Sequence, residues 1–254
     1  MNEVASPVKA STIVVVRPDP SGGIEVLMTR RRPELQILGG FLVFPGGGVE
    51  NEDCTEKMSS LCRGLTRSDA QKILGDDIAP ELSLGHWVAA IRELFEETGI
   101  HFFIDENGIA PDLRRRDLPE RLSEKRRALS NGAFHLAQVL ESEGLFCDLG
   151  RLTYLFHRIT PEKYPARFDT RFYLAALPGN QAALTSSEEV SESLWLTPKT
   201  ALEESASGKF PMMPPTVITL RALAEHGSWH NLRAAFHLVL DKNPPSATLS
   251  SLFL

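Results

Sequence analysis

Residues 87–100 read Trp-Val-Ala-Ala-Ile-Arg-Glu-Leu-Phe-Glu-Glu-Thr-Gly-Ile, a pattern that few environments tolerate. At about 100° per residue, Val88, Ile91, Leu94 and Phe95 share one face of a helix with Trp87 beside them, while Glu93, Glu96 and Glu97 crowd the opposite face. The apolar face needs a core. The acidic face needs a different partner, because carboxylates at i, i+3 and i+4 repel one another by about a few tenths of a kcal/mol per pair. A solvated surface would dilute that repulsion. A divalent cation would reverse it, since hard ions such as Mg²⁺ take oxygen ligands and keep positions for water and phosphate. Arg92, one turn before Glu96, can pair with a carboxylate and orient it without competing for a metal.

Upstream, Phe44-Pro45-Gly46-Gly47-Gly48-Val49-Glu50-Asn51-Glu52-Asp53 follows a short apolar run. Consecutive glycines let a backbone turn tightly and approach an ion or phosphate where a Cβ would obstruct. Joined to Arg92–Ile100, the segment resembles the Nudix box, G-x5-E-x7-R-E-U-x-E-E-x-G-U with U an aliphatic residue. The match starts at Gly47, has Asp53 where the family usually has Glu, and resumes at Arg92. Between Asp53 and Arg92 lie 38 residues instead of seven, so about 31 residues are inserted where the loop of the motif becomes its helix.

The resemblance implies an α/β fold, a Nudix-type α/β/α sandwich with a mixed sheet, and an enzyme that cleaves diphosphates with Mg²⁺ or Mn²⁺. It makes Glu93, Glu96, Glu97 and a backbone carbonyl at Gly46 or Gly47 the metal ligands, with Arg92 orienting them. Asp53 keeps the charge of the usual Glu but loses one methylene of reach. Within the insertion, Thr66-Arg67-Ser68-Asp69 is a capping signal before Ala70–Leu74, and Pro80–Leu84 leads into the catalytic helix. Residues 54–86 are therefore expected to form a folded helical excursion that leaves both halves of the motif in register.

A chain of 254 residues with 42% hydrophobic residues can bury a substantial core. It holds no apolar run near the length of a membrane span. A formal charge of −6 argues against a duplex-binding surface. Met1-Asn2-Glu3-Val4 lacks the features of a signal peptide, and Ser251-Leu252-Phe253-Leu254 lacks a peroxisomal ending. Cys54, Cys62 and Cys147 suit reduced intracellular thiols better than a disulfide framework. The expected location is cytoplasmic, and the expected partner is a small-molecule diphosphate, with neither nucleic acid nor membrane. A monomer and a homodimer both remain open.

Strands are expected at Ser11–Arg17, Glu25–Arg30, Leu42–Phe44, His101–Ile104, Leu152–Ile159, Arg171–Leu177 and Ser193–Leu196. Residues 112–144 are basic and read as two helical stretches split at Asn131-Gly132, within a mostly helical insertion over 105–147. Helices opening at Thr197-Pro198, Pro214-Pro215 and Ser228, the last running to Leu240, give a helical tail over 198–243. The whole is expected to be one Nudix domain, residues 1–254. Tyr154 and Phe156 would share one face of their strand, serving as core or as a base-stacking wall.

A Nudix box specifies the diphosphate and not what it joins. The segment Leu27-Met28-Thr29-Arg30-Arg31 followed by Gly40 and Phe44-Pro45-Gly46-Gly47 resembles the signature of coenzyme A diphosphatases, L-L-T-x-R-S/A-x3-R-x3-G-x3-F-P-G-G. Thr29, Arg31, Gly40 and Phe44 match, whereas Arg32 replaces Ser or Ala and Gln36 replaces Arg. The interrupted box and Arg167-Phe168-Asp169-Thr170-Arg171-Phe172 resemble the same subgroup. The resemblance implies coenzyme A or an acyl derivative as substrate, with Thr29, Arg31 and Arg167 binding it. An arginine fork suits a 3′-phosphate or diphosphate. An exposed strand end paired with acids would use the same arginines.

Many family members bring a further carboxylate from a loop outside the box. Of Glu188, Glu189 and Glu192, which precede Trp195, Glu189 is the candidate, sharing with Glu93 the role of general base. ADP-ribose or NADH is the alternative substrate class. A catalytically silent Nudix-fold module that binds a nucleotide is the alternative of another kind.

Overall fold

The computed structural model describes residues 6–75, 77–114 and 117–238. β1 (Val8–Pro18) and β2 (Ile24–Arg31) form an antiparallel pair, β3 (Leu42–Val43) returns beside β2, and β4 (Gly46–Gly48) lays the glycine loop against β1. Next come α1 (Glu56–Ser60), β5 (Cys62–Arg63), α2 (Arg67–Leu74) and the long α3 (Pro80–Thr98). They are followed by β6 (Phe103–Ile104), α4 (Leu118–Ser130), α5 (Leu136–Glu143) and β7 (Phe146–Asp148). Then come β8 (Thr153–Ile159), β9 (Phe168–Ala176), β10 (Val190–Leu196), α6 (Pro198–Ala206), α7 (Pro214–Glu225) and α8 (Trp229–Phe236).

The main sheet runs β10-β2-β1-β9-β8, with β3 and β4 paired to β2 and β1. It is mixed, because β1 and β9 are parallel while the neighbouring pairs are antiparallel. Alternation along the strands feeds two cores. Ile13, Val15, Leu27, Tyr173 and Ala175 join Trp87, Ile91 and Leu94 of α3 on one side. Val14, Val16, Val26, Met28 and Leu174 join Ala201, Leu220, Leu223 and Leu232 of α6, α7 and α8 on the other. Burial on both faces explains why Ile13–Val16 is apolar without interruption. Each such fully buried side chain contributes about 1.5–3 kcal/mol relative to exposure. The result is the three-layer α/β architecture that the box implied.

α3 starts with Pro80 in its first turn and stops at Gly99, whose φ of 74° is left-handed. Its interior Gly85 looks misplaced for a helix, where glycine costs about 1 kcal/mol against Ala. The reason is contact: a Cβ there would lie 2.5 Å from Cys54 Sγ, so the start of the insertion packs directly on the helix backbone.

Three expectations are corrected. Segments 54–86 and 105–147 are not helical throughout, because β5 and β7 pair in parallel with Cys62 opposite Cys147, and β6 joins β7 to make a second, three-stranded sheet. Strands of two or three residues are too short to show alternation in a sequence. Tyr154 and Phe156 do not share a face. The register shifts between them, so that Tyr154 packs with Trp87 and Tyr173 while Phe156 stacks on Phe172 in the opposite core. α8 stops at Phe236, with His237 left-handed at φ 49°. Residues 239–243 of the expected tail, Arg115 and Arg116 of the basic stretch, and both terminal tetrapeptides lie outside the described residues. No helix among the described residues is long and apolar enough to cross a membrane.

Candidate active site

The two halves of the motif meet although the insertion separates them. β4 pairs with β1, placing Gly46 opposite Thr12 and Gly47 opposite Ser11, with the carboxylates of α3 above. A Cβ on Gly46 would lie 2.8 Å from Thr12 Cα, and one on Gly47 would lie 2.5 Å from Glu93 Cδ. Close approach to the β1 backbone therefore requires glycine at position 46, while a side chain at 47 would displace the Glu93 carboxylate. The Gly46 N–H points at Glu97 Oε1 at 3.5 Å.

Arg92 is the hub of the cluster. Only 3% of its side chain is exposed, and it donates through Nε to Asp53 Oδ1 at 3.0 Å and through Nη2 to Asp53 Oδ2 at 3.0 Å. Nη2 also donates to the Gly48 carbonyl at 2.6 Å, and Nη1 to Glu93 Oε1 at 2.9 Å and Glu96 Oε1 at 3.0 Å. One guanidinium thus holds the glycine loop, the start of the insertion and two carboxylates of α3 in a fixed relation. Asp53 also accepts the Glu50 N–H, which closes its loop. A short 3₁₀ turn over Glu52–Cys54 brings Asp53 inward and supplies the reach that its shorter side chain lacks.

The electrostatics on the open side of Arg92 are unbalanced. Burial pushes the Glu93 carboxyl up to about 7, with Arg92 opposing and Glu96 adding to the rise. Burial also holds Glu97 well above the usual carboxylate range, and the neighbouring Glu93 reinforces it. Glu97 is 5% exposed, and its hydrogen bonds from the Gly46 N–H at 3.5 Å and Thr29 Oγ1 at 3.4 Å are long. Buried carboxylates so weakly satisfied fit a cation. Glu93, Glu96 and Glu97 line a cleft with Ser130, Ser187, Glu188 and Glu189 whose cavity volume is about 20 Å³, room for something of the size of one ion or water. Oxygen-only ligands of this kind suit Mg²⁺ or Mn²⁺. The ligand atoms of Glu50, Glu52 and His135 also lie within 4.8 Å of one another, at the surface and without any carboxylate of α3.

The other expected residues are placed unevenly. Arg31 reaches the site, where its Nη2 pairs with Glu189 Oε2 at 3.3 Å. Glu189 is 59% exposed at the cleft rim. Thr29 is fully buried and donates to Glu97, so it supports a carboxylate and does not line the open cleft as a substrate contact would. Arg167 is not beside Arg31: it precedes β9, which β1 separates from β2, and its Nε donates to the Thr160 carbonyl at 3.1 Å. Sequence spacing could not show this, because β8 and β9 place Arg167 by pairing across the sheet.

Two residues were not foreseen. Arg32, the departure from the coenzyme A diphosphatase signature, donates through Nε and Nη2 to the Ser187 carbonyl at 3.1 and 2.8 Å, and its N–H bonds the Glu189 carbonyl at 2.9 Å. It thereby holds the Ser187–Glu189 loop over the cleft. Arg126 of α4 donates to the Glu96 carbonyl at 2.7 Å. Both lie in basic runs: in Arg30–Arg32 the signature pointed to Arg31, and in the stretch around Arg126 no single arginine stood out.

A family model described as the NUDT19 Nudix domain matches residues 64–223. The chain is 28% identical over 204 residues to nudix hydrolase 7 of Caenorhabditis elegans, covering 80% of this chain and 57% of that one. It is 27% identical over 229 residues to the acyl-coenzyme A diphosphatase NUDT19 of Xenopus laevis, covering 78% of this chain and 59% of that one. The chain therefore spans less than two thirds of the length of these relatives. The crystal structure of a Nudix hydrolase from Alicyclobacillus acidocaldarius superposes with a TM-score of 0.70 at 29% identity, over 95% of this chain and 100% of that one.

Proposed function

Because this chain belongs to the NUDT19 Nudix-domain family, we propose that it hydrolyses the diphosphate bridge of a nucleoside diphosphate-linked substrate, coenzyme A or an acyl-coenzyme A, to 3′,5′-ADP and the corresponding 4′-phosphopantetheine. The observation that carries the reading is the buried Glu93–Glu97 pair facing Gly46–Gly47 across a cleft rimmed by Arg31. The similarity to an acyl-coenzyme A diphosphatase and the match at Thr29, Arg31, Gly40 and Phe44 support the choice of coenzyme A.

Glu93, Glu96, Glu97 and the Gly47 carbonyl would hold Mg²⁺ or Mn²⁺, which when bound neutralises diphosphate oxygens and acidifies water. The remaining work falls to the chain. Arg92 keeps the Glu93 and Glu96 carboxylates aimed outward from α3. Glu93 accepts the proton as a water oxygen forms its bond to one phosphorus and the bridging P–O bond breaks on the far side. Glu189, exposed and tied to Arg31, is the second candidate for that proton.

The test is a panel of coenzyme A, acyl-coenzyme A, ADP-ribose, NADH and nucleoside triphosphates, each with Mg²⁺ and with Mn²⁺, with products identified by mass. The expected outcome is 3′,5′-ADP from the coenzyme A compounds. Preferential turnover of ADP-ribose or NADH would move the substrate class. Metal-bound protein that turns over none of them would make it a binding module.

A further inference from the structure

Among the described residues, Arg126 is a buried cation without an ion-paired carboxylate. It is 8% exposed, its Nη1 donates to the Glu96 carbonyl, and its Nε–H has no hydrogen-bond partner among the described residues. No carboxylate among the described residues forms an ion pair with it. Two similarly buried arginines are paired: Arg92 meets Asp53, Glu93 and Glu96, and Arg171 meets Asp169. A buried charge is costly unless paired. Capping explains part of the arrangement, because the Glu96 carbonyl is one of the last four of α3 and needs an outside donor. A neutral donor would serve that purpose as well.

The surroundings say which anion fits. Ser130, one turn after Arg126 on α4, lines the carboxylate cleft, and the charges of Glu96 and Glu188 from the same cleft act on Arg126. A diphosphate entering there approaches Glu93, Glu96, Glu97, Glu188 and Glu189 and needs positive charge from the protein as well as from a metal. Arg92 is consumed by carboxylates, and Arg31 is tied to Glu189.

Resting on the function proposed above, we propose that Arg126 is an anion-binding residue of the active site, contacting the diphosphate of the bound substrate. The helical segment that carries α4 thus completes the site with a charge that the two halves of the motif do not supply.

The experiment compares wild-type protein with Arg126→Ala, Arg126→Gln and the exposed neighbour Arg127→Ala. Calorimetry measures binding of methylenediphosphonate, a non-hydrolysable diphosphate, in the presence of Mn²⁺, and of Mn²⁺ alone. Arg126→Gln keeps a donor for the Glu96 carbonyl and removes the charge, so it separates capping from anion binding. The expected result is a loss of at least ~10-fold in diphosphonate affinity for Arg126→Gln, the usual scale of a charge-assisted phosphate contact. Mn²⁺ affinity and thermal midpoint should stay near wild type, and Arg127→Ala should change nothing. Unchanged diphosphonate affinity in folded Arg126→Gln, or a parallel loss of Mn²⁺ affinity, overturns the proposal and leaves a helix cap. If wild-type protein binds the diphosphonate but hydrolyses no coenzyme A compound, the substrate reading fails while Arg126 stands. If it hydrolyses them and Arg126→Gln binds normally, the reverse holds. Wild-type protein that binds no diphosphonate overturns the proposal for Arg126, and the substrate panel alone then decides the substrate reading.

Discussion

Arg92 and Asp53, 39 positions apart, meet in a buried bidentate ion pair with both Nε–Oδ1 and Nη2–Oδ2 at 3.0 Å. The pair closes the motif across its insertion. The first prediction concerns its geometry. Asp53→Ala should destabilise the fold by about 3 kcal/mol, the low end for breaking a buried pair, because Glu93 and Glu96 still face Arg92. Asp53→Glu restores the residue usual at this motif position, yet it should also destabilise, by about 1–3 kcal/mol, since an added methylene has no room at a site 2% exposed. Urea unfolding of both variants tests this, and an Asp53→Glu protein as stable as wild type would show that the 3₁₀ turn does not set the reach.

Glu97→Gln should separate stability from catalysis. Glu97 is buried against Glu93 and forms no ion pair among the described residues, with Arg31 only partly offsetting its burial, so a neutral amide should stabilise the metal-free protein by about a few tenths of a kcal/mol of like-charge helix repulsion. Turnover should fall by at least ~10²-fold, because each 1.36 kcal/mol of lost transition-state stabilisation is about tenfold. A folded variant with near-wild-type, metal-dependent kcat would place the chemistry elsewhere.

Above pH about 6.5 the stability of metal-free protein should fall as pH rises; below it, His86 and His101, held by burial at about 3 and about 4, add stability with rising pH and oppose the trend. Glu93 lies at about 7 in the folded chain against 4.5 for the free side chain, so between these values the folded state binds more protons than the unfolded state. Its contribution is full below about 4.5 and is lost as pH rises through about 7, on the order of 3 kcal/mol in all. Glu97, also raised, acts in the same direction. Saturating Mn²⁺ should flatten the curve, because the ion favours the ionised carboxylates that protons otherwise neutralise. Thermal midpoints from pH 6.5 to 8 with and without Mn²⁺ check the sign, and stability that rises with pH over that window in the metal-free protein would refute it.

Arg31→Ala should weaken turnover of coenzyme A more than that of the same compound lacking its 3′-phosphate. A charge-assisted phosphate contact contributes roughly 1.5–3 kcal/mol, about tenfold or more in kcat/KM. Arg30 is the control, because it lies toward Phe210, with its guanidinium carbon 5.6 Å from that ring. Equal losses on both substrates would leave Arg31 with the role of holding Glu189.

The sequence by itself determined the parts whose physics is local. Helical periodicity put Glu93, Glu96 and Glu97 opposite the core face of α3, Gly99 ended that helix, and the unbroken apolar run Ile13–Val16 announced a strand buried on both faces. Gly46 and Gly47 signalled a close approach before its partners were known. The tertiary structure alone decided what depends on packing between distant segments. It gave Asp53 its reach to Arg92, set Arg32 on the Ser187 carbonyl, paired Cys62 with Cys147 in a second sheet, buried Thr29 under Glu97 and kept Arg167 away from Arg31. It also placed Arg126, from the middle of a basic stretch, on the main-chain carbonyl of Glu96. Residue type and spacing determine which face of an element a side chain occupies. Which distant charge it meets there depends on how the elements pack, and that information is not carried by any single stretch of chain.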